Sequence, residues 1–495
     1  GCNSPTMTTT ITNVTFGDVY FCAGQSNMQL EMHFTFSKNY SYNNITQMGK
    51  YKNIRFFTGV EGNQPNATYV IPVNNGKNGE YRWNLLNSTT IDLFDGFSAA
   101  CFYTAQTLTD KYGMSDINFG LIDTAVGGSI IESWIKNFTV PPRCVANTTN
   151  CPGPGCGGLY NGQVLPWINM TIKAALWLQG ENNVGHNAAG QYGGNWMNNT
   201  GYACMELLMI EQFRANWSLV NGGEILPFGL ITLGSGTSEG HQPDMGNFRW
   251  NQMLNFDILP PPADEVPSTF VVQAHDIGDP WYSGCGQCQN ASAPYTANNT
   301  YGNGTNWYMG PIHFRPKQYT GERMAIQVAK FIYGQDLTWT GPLLSGCMID
   351  DSKKMLTIMF NKTLMNGEEL FYQPFEAWYD KSLTNEYQNA IKLNLEGNPK
   401  WQDINDSRVS ISASDVTVMI DISNLYDSSG KQNITGIQYA WSDNPCCGNL
   451  NQKNFPCPMN MCPFQTAKSR LPAIPFWAQI VNNKCKCFAP QTCDA

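Results

Sequence analysis

Short apolar runs alternate with Gly-containing polar turns through the first two thirds of the chain. The runs with the length of a buried strand are 19–23, 117–123, 174–178, 228–233 and 270–274. Between them, residues 97–112 and 204–217 carry apolar side chains at helical spacing. Gly113 ends the first of these predicted helices, because glycine readily adopts the left-handed conformation of a helix terminus. Alternating strands and helices predict an α/β fold with a parallel, doubly wound sheet.

The pattern changes near Gly341. A last helical pattern ends at Gly334, and beyond Gly341 segments such as 355–360 and 416–422 alternate or are β-branched. The sequence therefore predicts two domains. They are an α/β domain at 1–340 and a smaller, β-rich C-terminal domain with clustered cysteines at 341–495.

Composition narrows the class of protein. The chain has 495 residues, of which 42% are hydrophobic and 12% aromatic, so it can bury sizeable cores. Its 29 Lys and Arg against 38 Asp and Glu give a net charge of -9, which disfavours a nucleic-acid partner. No apolar stretch approaches the roughly 20 residues of a membrane helix. We expect a globular protein without a membrane span.

Asn-x-Ser/Thr sequons are numerous, and 17 cysteines accompany them. Both features are typical of a glycosylated protein from an oxidising compartment, so we expect a secreted or lysosomal protein whose signal peptide has been removed. The candidate glycosylation sites are Asn13, Asn39, Asn44, Asn66, Asn87, Asn137, Asn147, Asn169, Asn198, Asn216, Asn290, Asn298, Asn303, Asn361, Asn405 and Asn433.

Many of the cysteines cluster in predicted loops, at 144–156, 285–288 and 446–493. A zinc site would need two Cys pairs at a set spacing or a His pair, and the sequence has no H-x3-5-H pattern. We therefore expect local disulfides, with no metal and no cofactor. Because 17 is odd, at least one thiol is free or joins a partner chain.

Residues suited to ester hydrolysis follow three of the predicted strands. Ser26 comes after Gly24-Gln25 at a strand-to-helix turn, the setting of an activated nucleophile, although a simple helix N-cap has the same pattern. Gly128 offers a backbone N–H and Gln179 a side-chain amide to a developing oxyanion. An ordinary turn and a buried, hydrogen-bonded Gln are their structural alternatives. Because parallel strands end at one edge of a sheet, we expect these three groups together.

The search for a general base is short, because the chain has five histidines. They are His33, His186, His241, His275 and His313. A fallback base is His275 beside Asp276, at the end of the last predicted strand.

Four blocks of sequence resemble, in order, those of the sialate O-acetylesterases, a branch of the SGNH hydrolases. They are 16–28 with Gly24-Gln25-Ser26-Asn27-Met28, 120–134 with Gly127-Gly128, 177–182 with Gln179-Gly180-Glu181-Asn182, and 312–323 with His313. A trace continues at 438–445 in the second predicted domain. The resemblance implies an SGNH-hydrolase-like three-layer α/β/α domain.

The resemblance also implies roles for individual residues. Ser26 would be the nucleophile and His313 the general base and acid. The amides of Ser26 and Gly128, with the side chain of Gln179, would form the oxyanion hole. Three further residues of the same blocks are expected to bind substrate. They are Gln25, Glu181 and Asn182.

The sequence does not identify which residue supplies the triad carboxylate. Many SGNH hydrolases place an Asp three residues before the His, where this chain has Gly310. Asp276 and Asp279 match an acidic pair of the family, and a Ser-His dyad is the alternative. The Cys- and Asn-rich stretch between Asp279 and His313 is expected to cap the site. The family also usually has a β domain before its first block, which we expect to be lost or cleaved here.

Together these residues predict a carbohydrate O-acetylesterase acting through an acetyl-Ser26 intermediate. The substrate would be an O-acetylated sialic acid or an acetylated polysaccharide, and the residues do not choose between them. The alternative from a different class is a catalytically inactive sugar-binding or structural protein that keeps the esterase fold. Acetate release from acetylated sugars distinguishes the two.

Overall fold

A computed structural model describes much of the chain. The described residues are 12–59, 64, 66–67, 69, 82–136, 157–184, 201–218, 220–235, 245–254, 266–279, 312–374, 390–428, 430–442, 445–446 and 462–487. The α-helices among them are α1 Ser26–Gln29, α2 Lys38–Thr46, α3 Ile91–Phe94, α4 Ala99–Lys111, α5 Gly201–Trp217, α6 Met245–Asn251 and α7 Lys317–Phe331.

Seven strands form a mostly parallel sheet in the first part of the chain. They are β1 Asp18–Gly24, β2 Ile54–Thr58, β3 Asn84–Leu85, β4 Phe119–Asp123, β5 Ala174–Leu178, β6 Phe228–Ile231 and β7 Thr269–Val272. Their order is β3-β2-β4-β1-β5-β6-β7, and only β3 is antiparallel to its neighbour. Strands β2 to β4 lie on one side of β1, with β4 between β1 and β2, and β5 to β7 follow in order on the other side. The carboxyl end of β1 therefore lies at the topological switch point, where open α/β sheets bind ligands.

The centre of this sheet is covered on both faces. Successive side chains of a strand point to opposite faces. Phe21 of β1 packs its ring against Phe213 and Trp217 of α5, whereas the next residue, Cys22, forms a disulfide with Cys101 of α4. Helices α4 and α5 thus lie on opposite sides of β1, which fixes the strand that leads to Ser26.

The remaining strands belong to the second part of the chain. They are β8 Leu344–Asp350, β9 Met355–Phe360, β10 Leu370–Tyr372, β11 Ile391–Leu395, β12 Gln402–Asp403, β13 Val409–Ser412, β14 Thr417–Asp421, β15 Tyr426–Asp427, β16 Gly430–Lys431, β17 Ile434–Tyr439, β18 Phe464–Thr466, β19 Phe476–Val481 and β20 Lys484–Cys487. Nine of them form one antiparallel sheet, in the order β12-β11-β17-β19-β20-β8-β9-β14-β13. The buried apolar residues form two clusters, one before and one after the boundary between Leu343 and Leu344. Ile474 is the exception, because it belongs to the first cluster.

The predicted elements agree well with the observed ones. The runs 174–178 and 355–360 coincide with β5 and β9, and the helix predicted at 97–112 is α4. Strand β2 was not predicted from the pattern. The structure is thus a mixed α/β fold with a separate antiparallel sheet.

Disulfides are present, but the expectation that they are local is only partly right. Cys446–Cys462 is local, whereas Cys22–Cys101 and Cys347–Cys485 span 79 and 138 residues. The predicted clusters at 144–156 and 285–288 lie outside the described residues. Within the described ranges, no helix is long and apolar enough to cross a membrane, and no group of three His, Cys, Asp or Glu residues is arranged to hold a metal ion.

Candidate active site

Ser26 is the first residue of α1, and Gln25 alone separates it from the end of β1, so it lies at the predicted strand-to-helix turn. The turn before it depends on Gly24, whose φ is +138°. A Cβ at this position would lie 2.0 Å from the carbonyl oxygen of Leu178. Only glycine fits this position without moving β5. Gln25 N then donates to the same carbonyl oxygen at 3.0 Å, so the nucleophile turn is fixed to the neighbouring strand.

The loop after β4 places a second turn beside Ser26. Ser129 N donates to the carbonyl of Val126 at 3.3 Å, and Gly128 has a φ of +72° at the third position of this turn. A type II turn requires positive φ there, which explains the glycine. A Cβ on Gly127 would lie 3.5 Å from the Cβ of Ser26, so the turn touches the nucleophile. Within the described part of the chain, the N–H groups of Ser26 and Gly128 donate to no residue.

Gln179 has a different task from the predicted one. Its side chain is fully buried, and its Nε2 donates to Gln25 Oε1 at 3.0 Å, Ser129 O at 3.1 Å and Asn183 Oδ1 at 2.7 Å. Tyr202 donates to its Oε1 at 2.8 Å. Because both amide protons already have acceptors inside the fold, Gln179 ties loops together and is not placed as an oxyanion donor.

Asn182 is the residue of this block with an available amide. Gln25 Oε1 accepts from Gln179 Nε2, from Gly180 N at 3.1 Å and from Asn182 N at 3.4 Å, which fixes the orientation of the Gln25 amide. The Nε2 of Gln25 therefore faces Asn182 and donates to its Oδ1 at 3.0 Å. Asn182 is half-buried, and no described residue accepts from its Nδ2. Gln25, expected to bind substrate, is instead a buried residue that positions Asn182.

The His block lies against the nucleophile helix. Asn27, next to Ser26, donates from Nδ2 to the carbonyl of Ile312, next to His313, at 3.0 Å. Lys317 Nζ donates to Asn27 Oδ1 at 2.5 Å. These two contacts join the segments that carry Ser26 and His313, although the residues are far apart in sequence.

A buried ion network lies beneath this contact. Glu181 Oε1 accepts from Asn27 Nδ2 at 2.5 Å, and Glu181 is buried rather than exposed to substrate. Lys317 is fully buried above the ring of Phe314, at 3.1 Å from the centroid. Burial lowers the pKa of Lys317 well below its ordinary value, whereas the nearby Glu181 and Asp279 favour the charged form. Glu181, expected to bind substrate, is thus a buried residue that orients Asn27.

Both candidate triad acids are paired with arginines. Asp279 forms a fully buried, two-pronged ion pair with Arg315, at 2.6 and 2.8 Å. Asp276 does the same with Arg323, at 2.5 and 2.7 Å. Burial raises the pKa of Asp276, but the guanidinium of Arg323 outweighs it and lowers the pKa below the usual value. These pairs fix the loop after β7 to the His block and to α7. Which residue is the triad acid stays a prediction, and Gly310 lies outside the described residues.

The other histidines are weaker candidates for the general base. His275 is fully buried, which lowers its pKa to about 3 and removes it from any external substrate. His33 is buried beside Glu31, with Nδ1 3.2 Å from Oε2. His186 and His241 lie outside the described residues.

Several buried carboxyl groups surround the site. Burial raises the pKa of Asp123, at the end of β4, to about 8. Burial also raises the pKa of Glu132 to about 7, and Asn183 donates to Glu132 Oε2 at 3.0 Å. Glu206 of α5 is fully buried with a pKa raised well above its ordinary value. The fold favours the neutral form of all three groups.

The sequons differ in accessibility. Asn44 is buried and its Nδ2 donates to the carbonyl of Tyr40 at 2.8 Å, and the Nδ2 of Asn216 is buried as well. The exposed candidates are Asn13, Asn39, Asn66, Asn169, Asn405 and Asn433, and the half-buried ones are Asn87 and Asn361. The candidates outside the described residues are Asn137, Asn147, Asn198, Asn290, Asn298 and Asn303.

Sequence reasoning did not assign roles to Asn27, Lys317, Arg315 and Arg323. All four lie inside the blocks that carry the family resemblance, so membership of a block was the available signal. The partner of each side chain comes from a distant segment, which a linear pattern does not reveal.

Comparisons with known proteins identify what this chain is similar to. Residues 16–207 match the family described as a carbohydrate esterase, sialic acid-specific acetylesterase. The sialate O-acetylesterase of Pongo abelii is 25% identical over 493 residues, covering 96% of this chain and 77% of the relative, and that of Homo sapiens is 25% identical over 491 residues with the same coverage. The crystal structure of a carbohydrate acetylesterase from Xanthomonas citri matches with a TM-score of 0.60 at 17% identity, covering 93% of this chain and 80% of the other. The structural match shows a shared fold.

Proposed function

The chain is related over nearly its whole length to the sialate O-acetylesterases, and on this premise we propose that it is a serine-dependent carbohydrate O-acetylesterase. The observation that carries the proposal is the hydrogen bond from Asn27 to Ile312, which joins the segments of Ser26 and His313. A nucleophile and a base brought together at the switch point of the sheet are the parts that acyl transfer needs.

Ser26 Oγ attacks the acetyl carbonyl while His313 takes its proton. The oxyanion that forms is stabilised by the N–H groups of Ser26 and Gly128 and by Nδ2 of Asn182, which replaces Gln179 in this role. The sugar hydroxyl leaves with the proton from His313, giving acetyl-Ser26. Water, activated by the same imidazole, then releases acetate. No cofactor takes part in these steps.

The wider setting follows from the same relationship. Residues 1–340 would form an SGNH-hydrolase-like three-layer α/β/α domain, and 341–495 a β-rich domain. The division of the buried apolar clusters between Leu343 and Leu344 supports this boundary. The partner is an O-acetylated sugar, either a sialic acid or a polysaccharide unit. The disulfides and exposed sequons support a secreted or lysosomal location.

The test is acetate release from a panel of O-acetylated sialosides, acetylated polysaccharides and an aryl acetate. We expect the wild type to be active, Ser26→Ala to lose at least about a thousandfold in kcat with unchanged melting, and the exposed Ser410→Ala in β13 to match the wild type. A wild type that is inert on the whole panel would favour the inactive sugar-binding protein.

A further inference from the structure

We propose that the C-terminal β-rich part of the chain positions the catalytic groups, through the contact of Trp441 and Ser442 with helix α6. This inference rests on the proposed function. In it, Arg249 and Trp441 are positioning residues that act through α6 and touch neither substrate nor reacting atoms.

The contact between the two parts is close and partly charged. Trp441 directly follows the turn at the end of β17 and covers Gly246 of α6, where a Cβ would lie 2.3 Å from the Trp441 carbonyl oxygen. Its ring lies 6.3 Å from that of Trp250. Arg249, also on α6 and fully buried, donates from Nη1 to the carbonyl of Ser442 at 2.8 Å.

The same arginine holds the loop after β6. Its Nε donates to Leu233 O at 2.9 Å and its Nη2 to Gly234 O at 2.7 Å. Gly234 is packed under the ring of Phe314, which a Cβ would approach to 2.7 Å, and Phe314 directly follows His313. A chain of contacts therefore runs from Ser442 through Arg249 to the His block.

Helix α6 also supports the oxyanion side of the site. Phe248 lies against Gly180, where a Cβ would come within 2.5 Å of the ring. Gln252, in the turn after α6, donates from Nε2 to Gln179 O at 2.8 Å and accepts from Leu233 N at 2.8 Å. One short helix thus contacts the loop of Asn182 and the loop that supports His313, and its outer side is covered by Trp441.

A matched pair of tryptophans in the full-length chain tests the proposal. Trp441 and Trp477 are both half-buried in the C-terminal part, but Trp477 packs near Trp401, at 6.5 Å between rings. We expect Trp441→Ala to lower kcat on an aryl acetate at least about tenfold with KM changed less than about twofold, because the binding surface remains while the catalytic groups are misplaced. Trp441→Phe should restore most of kcat, and Trp477→Ala should keep the wild-type kcat.

A readout independent of turnover separates this proposal from the proposed function. Hydrogen exchange of segments 179–184 and 312–317 should accelerate in Trp441→Ala and stay unchanged in Trp477→Ala. If both variants lose kcat in proportion to their loss of thermal stability, or if Trp441→Ala leaves kcat and exchange unchanged, the inference is wrong. A wild type inert on acetyl esters would refute the proposed function, while the exchange result would still decide whether the contact orders the two loops.

Discussion

Isosteric substitutions at Asn182 and Gln179 test the proposal that Asn182, and not Gln179, donates to the oxyanion. In Asn182→Asp the side chain keeps its shape, but the free Nδ2 becomes a carboxylate oxygen. Losing one oxyanion donor costs about 3 to 4 kcal/mol of transition-state stabilisation, or 10² to 10³ in kcat, and the added charge increases the loss. Stability should change little, because among the described residues the half-buried side chain makes one hydrogen bond, in which its Oδ1 accepts from Gln25, and a carboxylate can still accept it.

The opposite result is expected for Gln179→Glu. A carboxylate cannot donate to the three acceptors that Gln179 Nε2 now serves, and its own oxygen would face those oxygens unsatisfied, which costs about 1 to 3 kcal/mol for a neutral group and more for a charged one. The melting temperature should therefore fall by many degrees, and kcat should fall less than in Asn182→Asp under conditions where the variant is folded. Initial rates on an aryl acetate and thermal melts of both variants make the comparison. The reasoning fails if Gln179→Glu melts like the wild type but loses a hundredfold in kcat while Asn182→Asp stays active.

Three further predictions concern pH, metal and glycans. Asp123 and Glu132 hold their protons more tightly in the fold, with pKa values of about 8 and about 7, so the free energy of unfolding should fall from about pH 4 to pH 8, by up to about 1.4 kcal/mol per pH unit for each group. His275, with its pKa of about 3, acts in the opposite direction below about pH 6.5, so the test uses pH 6.5 to 8. In this range the free energy of unfolding measured in urea should depend less on pH for Asp123→Asn than for the wild type, and an equal slope would contradict this. Hydrolysis should survive chelation and increase with pH as the imidazole of His313 loses its proton, because only the neutral ring can accept the proton of Ser26, whereas inactivation by chelator that zinc reverses would rule this mechanism out. Glycopeptide mass spectrometry of protein from glycosylating cells should find glycans at Asn405 but not at Asn216, and a folded, active form with a glycan at Asn216 would disprove the buried position of its Nδ2.

Local pattern predicted the parts of the fold whose residues depend on near neighbours. Strands β5 and β9 match the predicted runs because β5 is uniformly apolar and β9 is apolar apart from Thr357, with every second side chain buried. Strand β2 escaped prediction because Arg55 interrupts its short apolar run. The long-range disulfide Cys22–Cys101 was equally hidden, since each cysteine sits alone within its own element.

In the site, too, features that depend on near neighbours were predicted, and features that depend on distant segments were not. The strand-end argument placed Ser26, Gly128 and the 179–182 loop at one edge, and the structure brings the two glycine turns together there. We propose that Asn182 takes the role predicted for Gln179, because acceptors from other loops already occupy the Gln179 amide. Which of two neighbouring amides is free depends on the whole network of hydrogen bonds and not on sequence position.

The ion pair of Asp279 with Arg315 has a consequence for how this enzyme could diversify. The two residues flank residues 280–314, a span that includes His313, and their buried bidentate contact holds the two ends of that span together. Closing a longer flexible loop costs only about 0.6 kcal/mol for each doubling of its length. Insertions or deletions within 280–311 can therefore accumulate without displacing His313.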